Sequence, residues 1–552
     1  MKLIYINRLD IRRLDKTKNI SYLGYNFSNI KFFKDLEINI VDTRGLNTEV
    51  AHEIKCDFID YIAEIGKNQI NQVKWWATTI ASKSNLQSDF FSYICLLKTF
   101  SLLEDKNRCS IVFVDDIRLF FLIKRNYKIS TTIFSVIIAS YIYIYKVIFM
   151  FMRGTFSRAK FIFLRLLYDN YSKNIFERHN GDCTYIYSWV EDRSFNSKGE
   201  YNDPYFPGIN NFSPLNTYII FLPYYVKKHL MKKFDKKALL DGLSSYSSFG
   251  KIIKSSLSFY KPIINTSFYN FDLRTLWFFE ILTDVTTNKY VSNIHEYYCW
   301  LDFFKSPRKK ILYPFENQPW EKMMILASEA VKSDTSIMGC LHTTTHRLLL
   351  SFHTTKKDVS YLPLPHVIIV NSKPVERLYI KYFKDKSTEI INGGSLRFSA
   401  TNIQKIKNSA DRQVIGVMLS CINSQTKEQL YDLNNNSNPQ FDYLIKPHPD
   451  LPVYENYWQN NISYFSGTAE ELYNIVDAIV YCSSTSGMEA YSYGIPVFRF
   501  LTQYLDLETG EDNFKPMLIK SIGDISEPQV MPHKPVQLFS PVNKKMWHNI
   551  LN

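Results

Sequence analysis

Two short stretches near the C-terminus carry residues able to handle a phosphate. The first is Lys446-Pro447-His448-Pro449-Asp450, which follows the apolar run Phe441 to Ile445. Two prolines stiffen the turn and withhold N–H groups. That leaves the Lys446 ammonium and the His448 imidazole to meet an anion. The second is Cys482-Ser483-Ser484-Thr485-Ser486-Gly487-Met488-Glu489, which follows the apolar run Ala478 to Tyr481. A hydroxyl-rich turn entering a helix offers unpaired backbone N–H groups, side-chain hydroxyls and the positive end of the helix dipole. Ser486 and Glu489 have the spacing of a capping box, which would organise those same N–H groups. Glu489 could instead accept hydrogen bonds from a ribose. A strand-to-loop turn with a structural histidine explains the first stretch alone, and a capping box explains the second. Together, 35 residues apart from His448 to Ser483 and on strands read as neighbours, they point to a phosphate site.

Candidates for acid–base or nucleophilic work lie upstream. Ser188-Trp189-Val190-Glu191-Asp192-Arg193 ends an apolar run, and its carboxylates Glu191 and Asp192 lead the list, with Asp203 next. Arg193 could orient one of them or hold an acidic ligand; an exposed charged loop is the plain alternative. Tyr313-Pro314-Phe315-Glu316-Asn317-Gln318-Pro319-Trp320-Glu321-Lys322 puts Glu316 at a strand end and Glu321 in the next helix. Trp320 either stacks on a ligand or packs. His342, after Ser336 to Leu341, is either a wall of the same cleft or a structural histidine.

The elements that must position these residues follow from periodicity. From about Asp411 onward, apolar runs alternate with helical patterns: Val414 to Ser420, Lys427 to Leu433, Phe441 to Lys446, Ala469 to Asn474, Ala478 to Cys482 and, after Gly494, Ile495 to Phe500. Such alternation predicts a parallel doubly wound sheet. Strand-like runs at Leu3 to Ile6, Ile111 to Asp116, Thr184 to Val190, Tyr218 to Val226, Lys310 to Phe315, Ser336 to His342 and His366 to Ser372 predict an α/β N-terminal half. Residues 1–400 are read as an N-terminal Rossmann-like domain and residues 401–552 as a C-terminal one. Insertions are expected at about 124–165 and, mainly helical, at about 227–305. The last residues, from about Ser540, are expected to cross back to the first domain.

Ile129 to Met152 is the most apolar segment, with Lys146 as its one charge and basic residues on both sides. About 20 apolar residues can span a bilayer, yet basic flanks on both sides lack the usual asymmetry. A buried helix, a helix or hairpin lying in the membrane interface and a true span all remain open. The chain of 552 residues carries a net charge of +13. That excess favours polyanions. No zinc-finger spacing, RNP-like signature or long basic run accompanies it, so an anionic membrane surface or a phosphate-bearing substrate is expected and nucleic acid is not. The eight cysteines form no CxxC pair, as expected of reduced thiols in a cytosolic protein. There is no G-x-G-x-x-G after the first strand, no P-loop lysine motif and no zinc spacing.

KPHPD followed by SSTSGMEAYSYGIPV resembles the donor-binding half of GT-B glycosyltransferases of surface-polysaccharide (capsule and O-antigen) biosynthesis. It is similar to the HP/SS-motif Kdo transferases and to bacterial sialyl- and polysialyltransferases. A wider resemblance, carried by WWATTIAS, SWVEDRSFNSKGEYNDPYFPG, YPFENQPWEK and GCLH, is to large O-antigen-type biosynthesis proteins. The resemblance implies a GT-B fold, with two Rossmann-like parallel sheets facing across a cleft. It implies a nucleotide-sugar donor, favoured as a CMP-activated ulosonic acid, transferred to a surface polysaccharide or lipid-linked glycan. The resemblance carries over to His448-Pro449 and Ser483-Ser484, which would hold the donor phosphate. By their own chemistry and position Lys446, Thr485, Ser486 and Glu489 are read with them as donor-binding, and Glu191, Asp192, Glu316 and His448 as catalytic. Arg193, Asp203, Trp320 and His342 would line the acceptor side. No cofactor and no metal is expected, with Lys446, His448 and a helix N-terminus neutralising the departing phosphate. The expected location is cytoplasmic, peripheral on the inner face of the plasma membrane. A nucleotide-sugar 2-epimerase of the same fold and a non-catalytic assembly scaffold are the alternatives.

Overall fold

The structure, a computed structural model, describes residues 1–6, 19–24, 26–36, 38, 40–105, 110–172, 184–189, 194–195, 202–212, 218–222, 240–306, 310–397, 412–449, 451, 460–508, 513–526 and 533–551. Its strands in chain order begin with β1 (Lys2–Tyr5), β2 (Ile20–Leu23), β3 (Ile111–Val114) and β4 (Ser130–Thr131). These form a four-stranded parallel sheet in the order β2-β3-β1-β4.

β5 (Thr184–Tyr187), β6 (Tyr218–Leu222) and β7 (Leu240–Gly242) follow. After a small antiparallel pair, β8 (Ser267–Phe268) and β9 (Phe271–Asp272), come β10 (Lys310–Pro314), β11 (Ser336–Cys340), β12 (Val367–Val370) and β13 (Glu389–Asn392). They make a seven-stranded parallel sheet in the order β13-β12-β11-β10-β5-β6-β7. The third sheet holds β14 (Val414–Met418), β15 (Asp442–Lys446), β16 (Ile462–Tyr464), β17 (Ala478–Tyr481), β18 (Val497–Phe500) and β19 (Met517–Ile519). All six are parallel, in the order β16-β15-β14-β17-β18-β19.

The two larger sheets share one winding rule. Each starts with a central strand, β5 or β14. The next two strands are added on one side, and the chain then returns to add the rest on the other side. This is the doubly wound α/β plan, and its direction reverses between β5 and β10 and again between β14 and β17. Central strands such as Val414–Met418 and Ala478–Tyr481 are buried throughout, which explains their unbroken apolar sequence. The fold class is therefore α/β with two large parallel sheets, as the strand–helix alternation predicts, and the small N-terminal sheet is an addition to it.

The stretch expected to be mainly helical, 227–305, is so only in part. Its described residues include the edge strand β7 and the β8–β9 pair beside helices Phe249–Ser256, Arg274–Thr286 and Asn288–Phe303. The expected boundary near residue 400 lies outside the described residues. Of the six described cysteines, Cys95, Cys299, Cys340 and Cys482 are buried, and all six are free thiols.

The chain end returns to the seven-stranded sheet. Ser540 N donates to Asn371 O at 2.9 Å and Asn543 N to Gly393 O at 3.0 Å. Helix Lys544–Leu551 then places Trp547 among Ile186, Leu312, Met338 and Ile369. The indole N–H donates to Gly393 O at 3.0 Å. A Cβ at position 393 would collide with Met546 and Ile369, so glycine permits this close approach. Trp547→Ala is expected to destabilise the fold by roughly 3–5 kcal/mol, the usual result of emptying a buried aromatic site. Denaturant unfolding measures this, and an unchanged midpoint would mean that the returning helix does not hold the sheet.

Candidate functional site

Parallel sheets deliver the C-terminal ends of their strands to one edge, and a crevice opens where the winding reverses. In the six-stranded sheet that point lies between β14 and β17. Helix Asn423–Asn436 follows β14 and helix Thr485–Ser492 follows β17. The serine-rich motif therefore sits at the switch point, at a helix N-terminus. Lys446 and His448 extend β15, on the far side of β14. The two motifs are thus not on neighbouring strands: β14 separates them by about 10 Å in the sheet direction.

The serines divide their work. Ser484 is the N-cap, its Oγ accepting from Ser486 N at 3.3 Å and lying 2.9 Å from Ser486 Oγ. The Ser486–Glu489 capping box does not form. Glu489 Oε2 instead accepts from the Tyr473 hydroxyl at 3.0 Å, and burial raises its carboxyl against the nearby Arg397 charge. Gly487 lets the helix approach the Tyr481 ring, where a Cβ would come within 2.7 Å. Gly494, at φ +83°, ends the turn after the helix, as expected. Ser483 is buried and donates to Asp506 Oδ1 at 2.8 Å. Lys446 Nζ donates to Gly467 O. His448 is half-buried and shares a backbone bridge with Leu451.

Asp506 belongs to a loop after β18 that the sequence reading passed over. Arg499 Nη2 meets Glu508 Oε1 at 2.9 Å and Arg499 Nε lies 3.3 Å from Asp506 Oδ2. His52 Nε2 reaches Glu508 Oε2 at 2.6 Å. Burial works to raise the Glu508 carboxyl, but His52 and Arg499 outweigh it and hold it down at about 2. Carboxylates just past a strand end were the available signal for Asp506 and Glu508. Nothing in the helical pattern around His52 marks it.

The same loop joins the other sheet. Arg347 N donates to Glu508 O at 2.8 Å and Leu348 N to Leu507 O at 3.0 Å. Those residues follow β11 and His342, so the C-terminal edges of the two large sheets meet along this seam. The switch point of the seven-stranded sheet lies between β5 and β10, and two of the expected motifs flank it. Trp189 follows β5, and its ring meets Trp320 at 4.7 Å, nearly perpendicular. Trp320 also contacts Tyr187 and Tyr313, so it packs in an aromatic cluster.

Glu316 stands at the end of β10, with its Oε1 3.5 Å from His342 Nε2. The backbone around it is held by Glu321, whose Oε1 accepts from Glu316 N at 2.9 Å and Gln318 N at 2.8 Å. Asn317 adopts φ +60°, and the buried Lys322 Nζ donates to its Oδ1 and to Pro363 O at 2.7 Å. Burial pushes Glu321 up and Lys322 down. The Glu316 side chain keeps 34% of its exposure, while the protein packed around it pushes its carboxyl from 4.5 up to about 7. A carboxyl that titrates near neutrality beside an imidazole can give and take protons. The structure thus brings Glu316 and His342 together, leaves Trp320 in an aromatic cluster that reaches His342 only through Trp189 and Tyr205, and makes Glu321 a positioning residue.

Asp203 is buried, and its Oδ1 accepts from Tyr205 N at 2.8 Å and Phe206 N at 3.1 Å, shaping a turn. That turn sets the Tyr205 ring against His342, 5.0 Å between centroids. Glu191, Asp192, Arg193 and Asp450 lie outside the described residues. Among the described residues, no three His, Cys, Asp or Glu side chains converge as a metal-ligand set.

No protein-family model and no curated protein sequence matches the chain. Among solved structures, the calicheamicin glycosyltransferase CalG4 is 10% identical over 58% of this chain and 80% of that chain, with a TM-score of 0.33. The wall teichoic acid polymerase TagF is 11% identical over 67% and 86%, TM-score 0.31. UDP-GlcNAc 2-epimerase from Neisseria meningitidis is 10% identical over 57% and 82%, TM-score 0.31. At such scores the fold rests on the strand order described above.

Glu316 carries the prediction here. Its proton is held more tightly in the fold than in the unfolded chain, so stability is lost as pH rises from 4.5 to about 7 and the carboxyl must ionise. Glu316→Gln abolishes that ionisation. Its melting temperature relative to the wild type is expected to rise on going from about pH 5 to about pH 8. A difference that stays constant with pH would mean that the carboxyl is solvated and ordinary.

Proposed function

We propose that the cleft between the two sheet edges is the active site of a GT-B glycosyltransferase. The observation that carries this reading is the seam itself. The segments after β11 and β18 are hydrogen-bonded to each other, and Asp506 of the latter holds Ser483 at the serine-rich turn, so the edge carrying that turn is tied to the edge carrying Glu316 and His342. The six-stranded sheet would hold the nucleotide, with Ser484, Thr485, Ser486 and the first-turn N–H groups cradling a phosphate. His448 and Lys446 would approach from β15 and stabilise the departing phosphate. Ser483 would act through Asp506 to fix the loop. Glu316, paired with His342, is the described group best suited to take the proton of an incoming hydroxyl, and Trp320 belongs to the aromatic cluster that reaches His342 through Trp189 and Tyr205.

The favoured donor is a CMP-activated ulosonic acid, because a short cradle of this kind suits one phosphate. The acceptor would be a surface polysaccharide or a lipid-linked glycan. An epimerase of the same fold is the second reading. The long apolar helix described below favours the transferase, since a glycan anchored in lipid gives such a helix a use and a free nucleotide sugar does not.

A thermal-shift panel tests this reading. At about 100 times its Kd a nucleotide adds roughly 2.7 kcal/mol, so CMP or CDP is expected to raise the melting temperature more than UDP or GDP. His448→Ala and Ser484→Gly are each expected to reduce the shift. A clear preference for UDP would contradict the ulosonic-acid donor, and no shift with any nucleotide would contradict the transferase. With a transfer assay in hand, His448→Ala is expected to lose about 2–4 kcal/mol of transition-state stabilisation, and turnover is expected to survive EDTA.

A further inference from the structure

Helix Ile133–Ser172 is a single helix of 40 residues, and its stretch Ile133–Leu166 has a mean hydropathy of 2.0 in its most apolar part, of which 11% is buried. One stripe holds it to the body. Ser135 Oγ accepts from Tyr5 N at 3.2 Å, Ala139 is fully buried, and Gly154 lies against Thr286, where a Cβ would collide. Arg158 then donates to Val285 O at 2.8 Å and to Ser256 O, and Phe161 and Arg165 are buried. Small residues and internal hydrogen bonds make this inner stripe. The opposite face, from Ile133 through Ile137, Ile144, Ile148 and Phe156 to Phe163, is apolar and open. Neighbouring elements extend it: Phe278 stacks on Tyr143, and Phe259 lies under Arg158.

We propose that this outer face docks on an anionic lipid bilayer, with the helix lying in the plane of the membrane. Two physical arguments select this occupant and this orientation. The anchors from Ser135 to Arg165 cover about 45 Å at 1.5 Å per residue, against a hydrocarbon core of about 30 Å. A transmembrane path would drag the packed body, with its polar backbone at Val285 and Ser256, into lipid. Charge argues against a second copy of the chain. Residues 133–166 contain Lys146, Arg153, Arg158, Lys160 and Arg165 and no Asp or Glu. A two-fold contact would set exposed Arg153 and Lys160 against like charges. Anionic headgroups complement them, and exposed Lys124 and Arg125 line a groove with Ser140, Tyr143 and Ile144 at the helix's N-terminal half. Arg125 also lies 3.8 Å from Asp272. This surface stands on its own packing and does not depend on the transferase reading.

The test is flotation of the full-length protein with vesicles of phosphatidylcholine containing about 30 mol % phosphatidylglycerol. The wild type is expected to float, to bind vesicles of phosphatidylcholine alone about tenfold less, and to lose part of its binding at high salt. Ile137, Ile144, Ile148 and Phe156 are each more than half exposed, so their combined replacement by serine leaves the core untouched. That variant, with unchanged circular dichroism, is expected to stay behind. Equal binding to both vesicle types, or none, overturns the proposal, as does a serine variant that floats like the wild type. Resistance to alkaline carbonate extraction would replace it with a span, and a wild-type dimer that the serine variant dissolves would replace it with a protein interface.

Discussion

Arg499 lies largely buried between Asp506 and Glu508, and the seam between the two large sheets hangs on that cluster. One guanidinium answers two carboxylates at once, helped by His52 from the N-terminal unit. Removing such a charge from water is costly unless every partner is in place, so the cluster admits few arrangements of the loop after β18. With the loop fixed, Glu508 O and Leu507 O accept from Arg347 N and Leu348 N of the other sheet, and Asp506 holds Ser483 at the start of the serine-rich turn. Asn47 Nδ2 donates to Gln503 O at 2.9 Å, bringing the small N-terminal unit onto the same loop. Three α/β units thus converge on one segment of eight residues, 501–508.

The edge of the seven-stranded sheet is stiffened in a related way. Lys83 and Asp358 form a fully buried ion pair at 2.9 Å, and Glu321 and Lys322 are buried beside them. Buried ion pairs are weak evidence for stability. Their effect here is positional: Glu321 and Lys322 pin the turn Glu316–Gln318, including the left-handed Asn317. A loop held from two sides presents Glu316 without freedom to retract, which suits a proton-transfer group.

The sequence makes the two large sheets readable because their central strands are buried on both faces, as at Val414–Met418, and so spell unbroken apolar runs. It also places the motifs at strand ends, since each run stops at a polar turn. Three features stay hidden. The small sheet pairs β1 with β3 across more than a hundred residues, and local periodicity carries no trace of that. The order of strands is a tertiary property, so the sequence reads Lys446 and Ser484 onto neighbouring strands, whereas β14 lies between them. The apolar helix is ambiguous because its inner stripe uses Ser135, Ala139 and Gly154 while its outer one is apolar, the reverse of the usual amphipathic pattern. The capping box at Ser486 and Glu489 fails for a local reason: Ser484 takes the cap and Tyr473 takes the carboxylate.

The central claim is that the donor nucleotide seats on the edge of the six-stranded sheet, at the start of the serine-rich helix. Hydrogen–deuterium exchange of the full chain, with and without saturating CMP, tests it most directly. The account predicts protection of residues 446–449 together with 484–489. Protection confined to segments away from that edge, or none at saturation, would contradict it.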